Sequence, residues 1–189
     1  MLYLASTSPR RRQLLAQIGF AFEPLDLEIP EVREPHETPL AYVTRVSGEK
    51  AVEGRRKVAA TDFVLAADTE VVLDDEVFGK PVDDEDAAGM LRRLSGRTHE
   101  VITTVWLMGP EFARSVTSTS QVRITTLDDG AIAEYLATGE HRGKAGAYAI
   151  QGHAGTFIEH LAGSFTSVMG LPLHETYRLL QSAGIRRSA

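Results

Sequence analysis

The apolar run Leu2 to Ala5 gives way within a few residues to Ser8-Pro9. A hydroxyl residue followed by proline is a helix start. The side chain caps a free backbone amide, and proline has no N–H to lose at the first helical position. An apolar strand feeding a capped helix commits the chain to a layered α/β or α+β arrangement, because each element must bury its apolar side against another. The start signal recurs at Thr38-Pro39. Helices are therefore expected over 9–18 and from Pro39 through about Val52, the first ending at Gly19.

Phe63 to Ala67 reads as a strand that ends at Asp68, ahead of a β turn. Val71–Leu73 and Val77–Phe78 flank Asp74-Asp75-Glu76 as a hairpin. Further helices are expected over 84–94, closed by Gly96, over 128–137, and over 173–183 behind Pro172. Strands rich in Val, Ile and Thr are expected over 100–107 and 120–126. No repeat or linker divides the chain, so one domain over 1–189 is expected.

Composition narrows the chemistry. The sequence has no cysteine, which excludes disulfides, cysteine-bound zinc, iron–sulfur clusters and thiol catalysis. Its 20 basic and 26 acidic residues leave a formal charge of -6. That balance argues against stable nucleic-acid binding, and any anionic ligand must be held by a local basic pocket. No signal-peptide pattern and no run of roughly 18 apolar residues is present, so a cytoplasmic protein without membrane contact is expected.

Helical periodicity picks out two bases. Leu14, Leu15 and Ile18 define the apolar face of the first helix, and Arg11 lies at the centre of that face. A cation turned inward, one turn from a helix N-terminus, needs an anion to offset its desolvation. With Ser6, Thr7 and Ser8 adding hydroxyls, the turn reads as a phosphate cradle. In the second helix Leu40, Val43, Ser47, Ala51 and Gly54 share a face, and Lys50 projects within that arc. It either binds a ligand or buries its stem with the ammonium in water.

The carboxylates come from separate places. Asp68 closes a buried run, Glu31 sits in a loop between Pro30 and Pro35, and Lys80 in Gly79-Lys80-Pro81 can turn back toward Asp68. If they converge, two carboxylates and several bases suit Mg²⁺ with a polyphosphate. No dinucleotide fingerprint is present. Gly139 to Ala145 falls one residue short of a P-loop and lacks its Ser/Thr. His99, His153 and His160 show no zinc spacing.

Several short tags occur in order along the chain. They are Leu4-Ala5-Ser6-Thr7-Ser8-Pro9-Arg10-Arg11, Glu49-Lys50-Ala51, Ala67-Asp68-Thr69, Gly79-Lys80-Pro81, Lys144 to Tyr148 with Ile150-Gln151-Gly152, and Gly170-Leu171-Pro172. Together they resemble the Maf family of nucleoside triphosphate pyrophosphatases over nearly the whole chain. The resemblance implies an α/β fold of the Maf/ITPase type, an elongated mixed sheet flanked by helices, with two lobes around a cleft. It implies hydrolysis of dTTP, UTP and modified pyrimidine nucleotides to monophosphate and pyrophosphate, with a divalent metal, Mg²⁺ first and Mn²⁺ or Co²⁺ as alternatives. A homodimer, a house-cleaning role and a link to cell-division arrest are also implied.

Residue by residue, the resemblance makes Asp68 the proton acceptor and, with Glu31, a metal-associated carboxylate. Ser8, Arg11, Lys50 and Lys80 fall on phosphate-handling positions, and Arg10, Thr69 and Gln151 on positions of base choice; Ser6 is a substrate-binding candidate as a hydroxyl of the same turn as Ser8. A glutamine amide can pair with the donor–acceptor edge shared by uracil and thymine. The 7-methyl-GTP branch, which tends to have tryptophan and glutamate at those positions, is the alternative enzyme. A non-catalytic regulator of septum formation is the alternative class. The chain departs from the pattern at Pro30, at Glu70 and at Ala149, where an acid, an apolar residue and a glycine are usual.

Overall fold

A computed structural model describes residues 1–187, so the last two positions of the expected 1–189 domain lie outside the described residues. In chain order the elements are β1 (Leu2–Ala5), α1 (Pro9–Gln17), β2 (Glu23–Leu25), α2 (Pro39–Arg56), β3 (Phe63–Leu73), β4 (Glu76–Phe78), α3 (Asp84–Leu94), β5 (Thr98–Gly109), β6 (Phe112–Ile124), α4 (Asp129–Ala137), β7 (Ile158–Ala162), α5 (Phe165–Val168) and α6 (Leu173–Ser182). The strands form one mixed seven-stranded sheet in the order β2-β1-β3-β5-β6-β7, with β4 paired to β3. The α/β class with an elongated mixed sheet is thus borne out.

The helix starts follow their sequence signals. Ser8 caps α1, Thr38 caps α2, and in both proline occupies the first turn. Asp74 and Asp75, with φ of 52° and 66°, make the tight turn between β3 and β4, the backbone of a primed hairpin turn. Three expectations are corrected. The helix from Pro39 runs on to Arg56, because Gly54 is buried inside it against Val64. Leu40 is half exposed and leaves the buried face, which Tyr42, Val43, Val46, Ser47, Lys50 and Ala51 form instead. Strand β6 begins at Phe112 and not near Ser120. Only its last residues pair with β7, so its first half is an edge with polar, exposed side chains.

A fourth correction concerns Asp68, which does not end a strand. β3 is one continuous strand, buried on both faces, and such strands read as unbroken apolar runs. Its even-numbered side chains Val64, Ala66 and Val72 pack with α2 through Ala51 and Val43. Its odd-numbered Leu65 and Ala67 join a core with Leu14, Leu15, Leu107 and Leu180. Val71 and Leu73 join another with Leu91, Leu94, Ile124 and Tyr148.

On the edge away from β5, β3 changes neighbour. Leu2–Ala5 pair with Phe63–Ala66, and Glu76–Phe78 pair with Val71–Leu73. Ala67, Asp68, Thr69 and Glu70 lie between the two partners. A cleft opens at this divergence, where β1 delivers the N-terminus of α1, much as ligand crevices form at the strand ends of open α/β sheets where neighbours part. No helix among the described residues is long and apolar enough to cross a membrane.

Candidate active site

A cavity of about 1130 Å³ fills the divergence. Ser6, Ser8, Arg10, Arg11, Glu31, Lys50, Asp68, Thr69, Lys80 and Gln151 all line it. Every side chain singled out in the sequence is therefore brought to one place.

The wall on the α1 side is built by capping. The Ser8 hydroxyl oxygen accepts from the Arg11 amide at 3.5 Å, and the Ser6 hydroxyl oxygen accepts from the Ser8 amide at 3.2 Å. Each serine then keeps its own O–H proton to donate. Arg11 is turned inward. Its Nε donates to the Gly170 carbonyl at 2.8 Å and its Nη2 to the Thr69 hydroxyl at 3.0 Å. Burial lowers the guanidinium pKa, against the pull of Asp68, Glu31 and Glu70. Thr103 donates to the Ser167 carbonyl at 2.9 Å and lies 2.9 Å from the Thr69 oxygen. With its single proton so used, Thr103 must accept from Thr69, so the bonds run one way from Arg11 through both threonines. Arg10 Nε donates to the Met169 carbonyl at 3.3 Å, and burial, with Arg11 nearby, lowers its pKa too.

The floor is the even face of β3 under α2. Lys50 Nζ donates to Asp68 Oδ1 at 2.7 Å and to Glu31 Oε1 at 2.5 Å. The ammonium does not snorkel: the Lys50 side chain is 11% exposed and that of Asp68 6%. Lys80 turns back onto Glu31 Oε2, at 2.6 Å, and not onto Asp68. Burial would raise the Glu31 pKa, but Lys50 and Lys80 outweigh it and hold the group at about 2.

Glu70 shares this face, two residues beyond Asp68. It is buried, and burial together with the charges of Asp68 and Glu31 lifts its pKa well above the usual carboxylate range. Asp68 Oδ2 and Glu70 Oε2 are both buried without a hydrogen-bond partner. Tyr42 faces the same group, and burial with those carboxylates raises its pKa. Sequence reasoning passed over Glu70 as a site residue and missed Tyr42. The i, i+2 spacing from Asp68 was the available signal, since alternate strand residues share a face.

The far wall is the segment Gly139 to Gly152. Gly146, at φ +64°, donates its amide to the Gly79 carbonyl at 3.1 Å and so ties this loop to the Lys80 turn. A Cβ there would come within 2.9 Å of Val71. The Tyr135 hydroxyl accepts from the Ala149 amide at 3.1 Å, and Tyr148 OH lies 2.8 Å from His99 Nε2. Glu140 accepts from the His153 amide at 2.8 Å, bracing the turn after Gln151, which itself stays exposed on the rim. The loop follows helix α4 and not a strand, so its likeness to a P-loop has no structural counterpart. His99 and His160 lie in strands, and His153 in a one-turn helix.

A helix N-terminus, hydroxyl donors and converging bases thus surround buried carboxylates in one cleft of an α/β protein, donor groups of the kind that suit phosphate oxygens. The family model described as Maf-like protein matches residues 1–183. The chain belongs to the Maf family. It is 54% identical over 188 residues to a protein of Xanthomonas euvesicatoria pv. vesicatoria (strain 85-10) named dTTP/UTP pyrophosphatase, covering 97% of this chain and 99% of that one. It is also 54% identical over 183 residues to a protein of Xylella fastidiosa (strain M23) named nucleoside triphosphate pyrophosphatase, covering 95% and 97%. Among solved structures, a nucleoside-triphosphatase, or dITP/XTP pyrophosphatase, of Mycobacterium abscessus aligns with a TM-score of 0.47. It is 20% identical, over 67% of this chain and 74% of that one.

Proposed function

We propose that this chain hydrolyses dTTP and UTP to the nucleoside monophosphate and pyrophosphate. The observation that carries the reading is the placement of Arg11, Lys50 and Lys80 around Asp68 in one cleft, in a chain 54% identical to a protein named for that activity. The triphosphate lies against the N-terminus of α1, where free amides and the Ser6 and Ser8 hydroxyls donate to its oxygens. Arg11, fixed through Nε and Nη2, turns the rest of its guanidinium toward the phosphates. Lys50 and Lys80 stabilise the charge that grows on departing pyrophosphate. Asp68 Oδ2 takes the proton of the water that attacks the α-phosphorus, while Oδ1 is held by Lys50. Gln151, with Arg10 and Thr69, reads the pyrimidine edge from the rim.

The donor set also fits a divalent metal through Asp68, whose buried Oδ2 has no partner. Both oxygens of Glu31 are taken by lysines, which leaves Glu31 less suited to that part. A bound Mg²⁺ would neutralise phosphate oxygens and polarise the anhydride.

The test is product analysis with dTTP, UTP, GTP and 7-methyl-GTP in Mg²⁺. Pyrophosphate and monophosphate from dTTP and UTP are expected. Orthophosphate, preference for 7-methyl-GTP, or no turnover would each replace the proposal. Asp68→Asn should lower turnover by on the order of 10²–10⁴-fold, the usual contribution of a positioned base. Wild-type turnover in that variant would remove Asp68 from the role.

A further inference from the structure

The geometry points to a divalent-cation site formed by Asp68 Oδ2 and Glu70 Oε2, with Glu70 as the second protein ligand in place of Glu31. Both side chains belong to residues more than nine-tenths buried, at 4% and 6% exposure, and both line the cleft. They share one face of β3 at the stretch where the strand has lost β1 and not yet gained β4. Neither oxygen has a hydrogen-bond partner.

The surrounding charges explain why these two oxygens want a cation. Lys50 is used by Asp68 Oδ1 and Glu31 Oε1, and Lys80 by Glu31 Oε2. No ion pair among the described residues reaches Glu70. An unpaired carboxylate buried beside another is unfavourable. A small hard cation answers both oxygens at once. Asp68 Oδ2 still has a second lone-pair direction for water.

The same donor set identifies the kind of ion. No group of three or more His, Asp or Glu residues among those described could hold a metal, so a closed protein cage is absent. Mg²⁺ and its surrogate Mn²⁺ take one or two carboxylates and complete their shell with water and phosphate oxygens. The cation would thus lie on the floor of the cleft, open on its upper side to a polyphosphate. This inference rests on the proposed function only for the identity of that polyphosphate.

Titration of the full chain with Mn²⁺ alone, read by the EPR signal of free Mn²⁺, tests the site without nucleotide or turnover. One saturable Mn²⁺ is expected in the wild type. Glu70→Gln and Asp68→Asn should each weaken it at least about tenfold, since even outer-shell partners of a metal are worth that much. Glu31→Gln should change it less than about threefold. Far-UV circular dichroism establishes that each isosteric variant is folded. No saturable binding by the wild type overturns the inference. So does unchanged affinity in Glu70→Gln, or a loss in Glu31→Gln equal to that in Asp68→Asn. Specific Mn²⁺ binding without pyrophosphate release would overturn the enzyme reading and leave the cation site standing.

Discussion

Lys50 holds the centre of the charge arrangement, and a double-mutant cycle with Asp68 measures how much of the fold depends on it. The pair is 2.7 Å apart, with side chains 11% and 6% exposed. Removing one member of a buried pair leaves the other charged, desolvated and alone, which typically costs about 3–5 kcal/mol. Lys50→Met does this to Asp68, and Glu31 keeps only Lys80. At roughly 2–4 °C per kcal/mol for a chain of this size, the midpoint of thermal unfolding should fall by about 6–20 °C. Asp68→Asn is milder, because Lys50 keeps Glu31 and the amide oxygen can still accept. The double variant removes both charges, so its loss should fall short of the summed single losses by at least about 1 kcal/mol, within the range seen for contacting residues. Urea unfolding followed by circular dichroism at pH 7, with chelator present, gives all four stabilities. Losses that add to within about 0.5 kcal/mol, the behaviour of independent sites, would show that Lys50 and Asp68 do not form the buried pair described.

Two further predictions address the framework. His99 is 2% exposed, and burial lowers its pKa to about 4, against about 6.5 in an unfolded chain. The unfolded chain therefore binds the extra proton first, so this contribution is complete above about pH 6.5 and lost as pH falls through about 4. At 1.36 kcal/mol per pH unit it amounts to about 3 kcal/mol. Stability measured against pH should fall less steeply over that window in His99→Gln, and parallel curves would contradict the account. At Gly54 an added Cβ would meet Val64 Cγ1 at 2.7 Å. The overpacking, about 1–3 kcal/mol, should exceed the roughly 1 kcal/mol that alanine gains in a helix. Gly54→Ala should therefore lower the unfolding midpoint and Val64→Ala should partly restore it. A stabilised single variant would refute the close approach.

The parts of the site that were legible in the sequence share one property: a local period or cap reports them. Arg11 and Lys50 stand on the apolar faces of capped helices, and in the structure both turn inward to named partners. The hairpin at Asp74-Asp75 and the helix starts are equally local. At Asp68 the sequence points to a strand end, because the apolar run stops where a charge appears. Its strand continues because the partner on one edge changes from β1 to β4, a non-local event. The first half of β6 carries little apolar signal because it is an edge. Glu31 has no periodic pattern, only its place in a loop between Pro30 and Pro35, and its pairing with Lys50 and Lys80 is non-local.

The overall charge of -6 by itself calls for a local basic pocket in an acidic shell. The cleft is more structured than that. Six basic side chains, Arg10, Arg11, Lys50, Lys80, Arg142 and Lys144, line it against four acidic ones, Glu31, Asp68, Glu70 and Glu140. Lys50 and Lys80 are paired with Asp68 and Glu31, and the remaining signs are mostly divided in space. Arg10 and Arg11 stand on the α1 wall, Arg142 and Lys144 on the far loop, and Asp68 and Glu70 side by side on the β3 floor. A bare polyphosphate would meet favourable walls and a repelling floor. A polyphosphate carrying a divalent cation would reverse the second term, because Asp68 and Glu70 offer the ion two unpaired carboxylate oxygens while the bases remain for the phosphates. On the proposed function, the cleft would suit the metal complex of a polyphosphate better than the free anion, and an acidic protein would need no basic surface to bind it.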